Sequence, residues 1–246
     1  MALTASPDDQ AHLLELQAID TKLRQLDHRA KSLPEIAILA GLARDADGLR
    51  AERLSASGAV DDARLELSRI ESDVAVVEAR IARDTQRLQG SSSVKDVAGL
   101  ESELAGLRKR QLDLEEIELT VMERLENLES ALAALVSALG DLEVTVAEAE
   151  AERDAALGAI TSERAHSAAN RETIASKLPA DLIALYERQR DRYGFGASLL
   201  QGGVSQASGV KLNENDMQAI RAAAPDEVLL CPDSNAILVR TSESGL

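Results

Sequence analysis

"VAGLESELAGLRKRQLDLEEIELTVMERLENLESALAALVSALGDLEVTVAEA", residues 97 to 149, decides the fold. Positions 97, 100, 104, 107, 111, 114, 118, 121, 125, 128, 132, 135, 139, 142, 146 and 149 alternate steps of three and four. Only Gln111 and Glu118 interrupt an apolar seam of Val, Leu and Ala. A heptad repeat sustained over this length predicts a coiled-coil helix, and polar seam residues such as these two set register at some cost in stability.

Working outward, the N-terminal half carries the same spacing. Leu16, Ile19, Leu23, Leu26, Ala30, Leu33 and Ala37 form one run; Val60, Ala63, Leu67, Ile70, Val74, Val77, Ile81, Asp84 and Leu88 form another. Pro34 and the glycines at 41, 48 and 58 weaken the helix between them, because an interior Pro costs about 3 kcal/mol and each Gly about 1 kcal/mol relative to Ala. A kink is expected near Ser32-Leu33-Pro34. "QGSSSVKD" (89–96) separates the seams: Gly90 is placed to end a helix in the left-handed conformation, and Ser93 to cap the next with Asp96 three residues on. A brief capped turn makes antiparallel neighbours, so residues 8–88 are expected to fold back on 95–176 as an arm of roughly 120 Å, at about 1.5 Å per residue. The alternative is two helices that dimerise in parallel with another chain.

Composition agrees. The 246 residues include no Trp, one Phe and two Tyr, with Tyr186, Tyr193 and Phe195 close together. Large cores recruit aromatics; this chain is instead rich in Ala, Leu, Glu, Asp and Arg, as long helices are. The net charge of −16 favours solubility and opposes non-specific attraction to nucleic acid or anionic membrane. A single cysteine excludes an internal disulfide framework and fits a reducing compartment. "MALTASPDDQAHLLELQ" lacks the basic and apolar regions of a signal peptide, and no apolar stretch of about 18 residues was expected. The expected setting is cytoplasmic, without membrane contact.

Beyond residue 176 the pattern changes. "KLPADLIALYERQRDRYGFG" (177–196) reads as a short helix with Pro179 at its first position, seated on the hairpin's base. "GASLLQGGVSQASG" (196–209) reads as turn-rich, and "LNENDMQAIRAAA" as a helix capped by Asn213. "EVLLC" and "AILVR" read as strands about the turn "PDSN". The division expected is 1–176, a kinked hairpin with its tip at 89–96, and 177–246, a docking helix plus a small α+β unit.

Cys231 opens a Cys-x-x-Cys-like spacing whose fourth position is Ser234, and Ser205 and Ser208 repeat that spacing upstream. With the "SVKD" tip, "LPADLIALYERQR", "LLQGGV" and the tail "LNENDMQAIRAAAPDEVLLCPDSNAILVRTSESGL", the chain resembles a bacterial family. That family joins a coiled-coil hairpin to a C-terminal four-cysteine zinc ribbon and is described as predicted nucleic-acid-binding zinc-ribbon proteins. The resemblance implies a mainly α fold, a long antiparallel coiled-coil hairpin with a small C-terminal α+β zinc-ribbon-like domain. It also implies zinc on four thiolates, and protein partners among sigma factors and secretion or flagellar components. Here the ligand positions are Ser205, Ser208, Cys231 and Ser234. Hydroxyls are poor zinc ligands beside thiolate, and His12, His28 and His166 fall in the hairpin, so no metal or other cofactor is expected. The metal-free ribbon then depends on Val204, Val210, Leu212, Ile220, Val228, Leu229, Leu230, Ile237, Leu238 and Val239. Cys231 reads as a small buried apolar residue.

No nucleophile–base set, P-loop or zinc-protease motif occurs, so catalysis is not expected. Candidate partner-binding residues are Ser92, Ser93, Lys95, Arg108, Lys109 and Arg110 toward the tip, and Tyr186, Arg188, Arg190, Arg192 and Tyr193 at the base. Arg with aromatic groups can clamp a single nucleic-acid strand; ordinary salt bridging is the plainer alternative. The expected function is a non-enzymatic protein-binding adaptor, scaffold or chaperone-like regulator, monomeric or weakly dimeric. Nucleic-acid binding is the alternative, disfavoured by the charge, and a bare spacer is a third.

Overall fold

The computed structural model describes residues 3–246; the first two residues of the N-terminal segment examined for a signal peptide lie outside the described residues. The chain divides into two compact units, Met1–Pro34 with Glu152–Leu246, and Glu35–Ala151. This division by contact differs from one made in chain order at 176/177.

The 35–151 unit holds most of α2 (Pro34–Gln89) and the larger part of α3 (Val94–Ala175). The helices are antiparallel, because contacts on α3 move back along the chain as those on α2 move forward. Arg64 pairs with Glu129 at 2.6 Å, Glu66 with Arg124, Glu78 with Gln111 at 3.3 Å, and Arg80 with Glu103. Every seam position from Val97 to Ala149, and from Val60 to Leu88, is buried or half-buried. Gln111 donates to Glu78 across the pair, a contact that only one alignment allows. Asp84, buried in the α2 seam, is held by Arg87 and Arg80 on its own helix.

The expected break is present: α1 (Pro7–Lys31) ends where the Ser32 N–H reaches the carbonyls of His28 and Arg29, and α2 starts at Pro34. Pro disfavours helical backbone in the residue before it. Ala37, placed on the first seam by its spacing, lies beyond the break and is exposed. Glycines 41, 48 and 58 lie inside α2 without interrupting it. Gly90 does not take the left-handed backbone expected of it; α2 instead tightens, with Gly90 N–H to Arg87 O at 3.2 Å and Ser91 N–H to Leu88 O at 3.3 Å. Ser93 does cap α3, its hydroxyl accepting from the Asp96 N–H at 3.4 Å.

One expectation about composition is corrected. Within α3 there is a window long and apolar enough to cross a membrane by length and composition. Residues 130–140, "SALAALVSALG", carry no charge. Leu132, Leu135 and Leu139 from this stretch pack along the hairpin seam.

In the other unit, α4 (Ala180–Tyr193) begins one residue after Pro179, which is the cap and not the first helical residue, and ends at left-handed Gly194. The segment read as turn-rich, 196–209, has its turns at 202–203 and 206–209, and the other half of it is strand. β1 (Ala197–Gln201) turns through Gly202 and Gly203, both at positive φ, into β2 (Val204–Ser205), and β3 (Val210–Lys211) follows. Two successive positive-φ residues match the right-handed twist of a tight hairpin. After α5 (Glu214–Ala222), capped by Asn213 as expected, come β4 (Leu229–Leu230) and β5 (Ile237–Val239). The sheet order is β3-β2-β1-β5-β4, with β1 and β5 parallel.

Alternation along β5 places the two cores. Ile237 and Val239 join Leu13 and Leu16 of α1 and Leu182 and Tyr186 of α4 on one face; Leu238 joins Leu200, Leu212, Met217, Ile220 and Cys231 on the other. Val210 and Leu230, expected in the core, are 49% and 43% exposed. They sit on the two edge strands, β3 and β4.

Candidate docking groove and the buried polar latch

Helix α1 presents two different faces to the C-terminal elements. Asp20 lies seven residues after Leu13 and four after Leu16, on the same buried stripe, and is 6% exposed. A carboxylate there requires partners, and three groups supply them. Arg171 of α3 donates at 2.5 and 3.1 Å, the Tyr186 hydroxyl at 2.7 Å and Arg190 at 3.2 Å. Glu187 closes the cluster, 2.5 Å from Arg171 and 2.7 Å from Arg190. Burial pushes the Asp20 pKa up, but the hydrogen bonds from Arg171, Tyr186 and Arg190 outweigh it and hold the carboxyl below its usual range. Burial, with the Asp20 charge beside it, pushes the Tyr186 phenol well above its ordinary value.

Gln17, one turn earlier, takes the amide of Gly196 at 2.7 Å and that of Ala197 at 3.3 Å on its side-chain oxygen. It thereby ties α1 to the start of β1. Beside this tie, the outer face of α1 and the outer side of β1 leave an open groove of about 650 Å³. Leu14, Ala18, Phe195, Leu199 and Ala207 supply its apolar walls; Lys22, Gln201 and Gln206 are among its polar members. Arg24 stacks over Phe195 at 5.2 Å.

The basal residues singled out from sequence therefore divide. Tyr186 is fully buried and Arg190 is spent on Asp20, Glu187 and Asp191, so neither forms a stacking clamp. Arg188 is exposed, and Arg192 lies over the ring of Tyr193 at 5.3 Å. The cluster splits because α4 turns one face into the core. In the hairpin unit, Ser92, Ser93, Lys95, Arg108, Lys109 and Arg110 are all exposed. The sequence reading missed Gln17, Asp20, Arg171 and Phe195. The legible signal was Asp20, a charge on the apolar stripe of α1.

Three of the four positions with Cys-x-x-Cys-like spacing do converge. Cys231 is 1% exposed and Ser205 fully buried. Ser205 is 2.9 Å from the Ser198 hydroxyl. Burial pushes the Cys231 thiol up, but hydrogen bonds from Ser205, from the Ser234 hydroxyl and from the backbone N–H groups of Ser234 and Asp233 bring it below its ordinary value. Ser208 turns away to the Ser205 carbonyl at 3.5 Å. Among the described residues no group of three His, Cys, Asp or Glu side chains is placed to hold a metal. One thiol among hydroxyls does not fit a tetrahedral thiolate site.

The family model of the CT398-like coiled coil hairpin domain matches residues 16–194. The chain belongs to that family. Among CT398-like relatives, the uncharacterized protein Rv2229c of Mycobacterium tuberculosis is 34% identical over 239 residues, 97% of this chain and 98% of that protein. A solved structure from Mycobacterium smegmatis has 32% identity and a TM-score of 0.88, covering 97% of this chain and 100% of that one. The structure of CT398 from Chlamydia trachomatis shares the fold, with a TM-score of 0.66, 17% identity, and 94% and 97% of the two chains covered. A mainly helical chain with a long helical hairpin and a small C-terminal sheet is thus the family's architecture.

Proposed function

We propose that this CT398-like chain is a non-enzymatic, cytoplasmic protein-binding adaptor. The observation that carries the reading is the open apolar groove between α1 and β1, walled by Leu14, Ala18, Phe195 and Leu199. A concave apolar surface with a few polar groups suits a protein segment. Nucleic acid is the weaker occupant. Tyr186 and Arg190, which would have stacked and paired, are consumed inside the latch, and the net charge is −16.

The test is affinity capture by the tagged chain from its native cytosol, with and without nuclease, beside an Ala18→Arg variant. Ala18 is exposed at the groove, so arginine blocks it without touching the core. A defined protein retained after nuclease and moderate salt, and lost with Ala18→Arg, supports the reading. Material that vanishes with nuclease and weakens steeply with salt indicates phosphate binding and overturns it.

The C-terminal unit is, on the same reading, a zinc ribbon that has exchanged its metal for the hydrogen-bonded set Ser198, Ser205, Cys231 and Ser234. Purified protein is expected to contain no stoichiometric zinc by atomic absorption, and chelator should leave Tm unchanged. The triple variant Ser205→Cys, Ser208→Cys, Ser234→Cys should acquire one zinc per chain and a chelator-sensitive Tm, since structural zinc contributes directly to folding. Stoichiometric zinc in the unaltered chain would refute the exchange.

A further inference from the structure

The hairpin unit bears a surface that its own seam does not use. One position after the seam on α3, the same three–four spacing reads Leu112, Glu115, Leu119, Met122, Glu126 and Glu129. Three of these are large apolar residues left in water: Leu112 is 66% exposed, Leu119 63% and Met122 48%. Leu119 and Met122 face a groove of about 340 Å³, floored by Leu67 of α2 and Leu125 of α3 and rimmed by Glu123, Glu126 and Glu129. The surrounding charge has one sign. Residues 111–151 contain eleven acidic side chains and a single basic one, Arg124. Arg124 is already taken by Glu66, and Glu129 by Arg64, while the side chains of Glu123 and Glu126 are exposed.

An apolar strip bordered by carboxylates selects its occupant. An acidic or uncharged helix would gain the burial but not the charge pairing, and nucleic acid is repelled. A helix with apolar residues every three or four positions, flanked by Lys or Arg, gains both. Met122 adds an adaptable thioether side chain of the kind that re-packs around different partner side chains. We propose that the 112–129 face of the hairpin docks a basic amphipathic helix of a partner protein. The proposal rests on the adaptor reading and adds to it a second surface and the chemistry of what binds there.

The test uses the purified full-length chain and a fluorescein-labelled synthetic helical peptide with Leu at alternating three and four spacing and Lys elsewhere, followed by fluorescence anisotropy. A peptide of the same composition with the Leu positions scrambled is the control. Two variants probe the face, Leu119→Ser with Met122→Ser, and Glu123→Lys with Glu126→Lys; all four positions are exposed, so the thermal melt should be unchanged. Each variant is expected to weaken the patterned peptide by about tenfold, the scale of losing an interface anchor, and the scrambled peptide should bind worse than the patterned one. Ala18→Arg should bind the patterned peptide as the unaltered chain does, which separates failure at this face from failure of the groove reading. Unweakened binding by either variant, or equal binding of the two peptides, overturns the proposal. So does concentration-dependent self-association in sedimentation that Leu119→Ser with Met122→Ser abolishes, since the occupant is then a second copy of the chain.

Discussion

Asp20→Ala is expected to destabilise the unit built from both chain ends by about 3 kcal/mol. Breaking a buried ion pair costs about 3–5 kcal/mol because the remaining charge is left unpaired. The low end applies because Arg171 and Arg190 keep 21% and 29% of their side-chain surface in water. Tyr186 loses its hydroxyl acceptor at the same time. All three aromatic residues lie between 186 and 195 and the chain has no tryptophan, so tyrosine emission during urea unfolding reports this unit and not the hairpin. Its midpoint should fall in the variant. A midpoint equal to the unaltered chain's would mean that the latch contributes specificity and no stability.

The latch also sets the pH dependence. Asp20 has a folded pKa below its unfolded one, so its contribution is present above about pH 4, where the unfolded carboxyl ionises. It is lost as pH falls through the lower folded value. Tyr186 has a folded pKa above its unfolded one, so its contribution is present below about pH 10 and is lost as pH rises beyond that toward the folded value. Stability from this cluster should therefore form a plateau between those limits, and the gap between the unaltered chain and Asp20→Ala should narrow in acid.

Gly196→Ala is expected to be comparably severe, about 3 kcal/mol, at the upper end of what an added methyl costs in a packed core. A Cβ at this position would lie 2.4 to 2.7 Å from three ring carbons of Tyr186. The ring cannot move aside, because it is fully buried among Leu13, Leu16 and Leu182 and its hydroxyl is held by Asp20. Backbone displacement would in turn loosen the Gly196 amide from Gln17 and its carbonyl from the Ile237 amide. Gly106→Ala is the matched control. That glycine is in the interior of α3 with open space around it, and alanine there should stabilise by up to about 1 kcal/mol. Equal melting curves for the two variants would mean that the Tyr186 contact is not what makes Gly196 necessary.

Periodicity together with the capped turn pointed to the hairpin. A seam repeated every three and four residues admits one helical face, and the short serine-rich turn with Ser93 as cap brings the two seams together. Pro34 marked the break between α1 and α2 for an equally local reason, since ring closure removes a donor and restricts its neighbour. The capping of α5 by Asn213 and the strand character of Ile237–Val239 were legible on the same terms. Long-range pairing was not. Nothing near Ala197–Gln201 announces a central strand, because its parallel partner lies about forty residues on and parallel pairing leaves no local turn signal. Nor does the short stretch around Leu3–Ala5 show that it pairs beside Asp226–Val228. The basal cluster illustrates the same limit for function. Tyr186, Arg188, Arg190 and Arg192 look alike as an aromatic and basic run, and only packing assigned them opposite fates. A 3.6-residue period turns Tyr186 into the core and Arg190 toward Asp20, an acid 170 positions away, while Arg188 stays in water. Which charges are free to meet a partner depends on which are already paired, and only tertiary contact decides that.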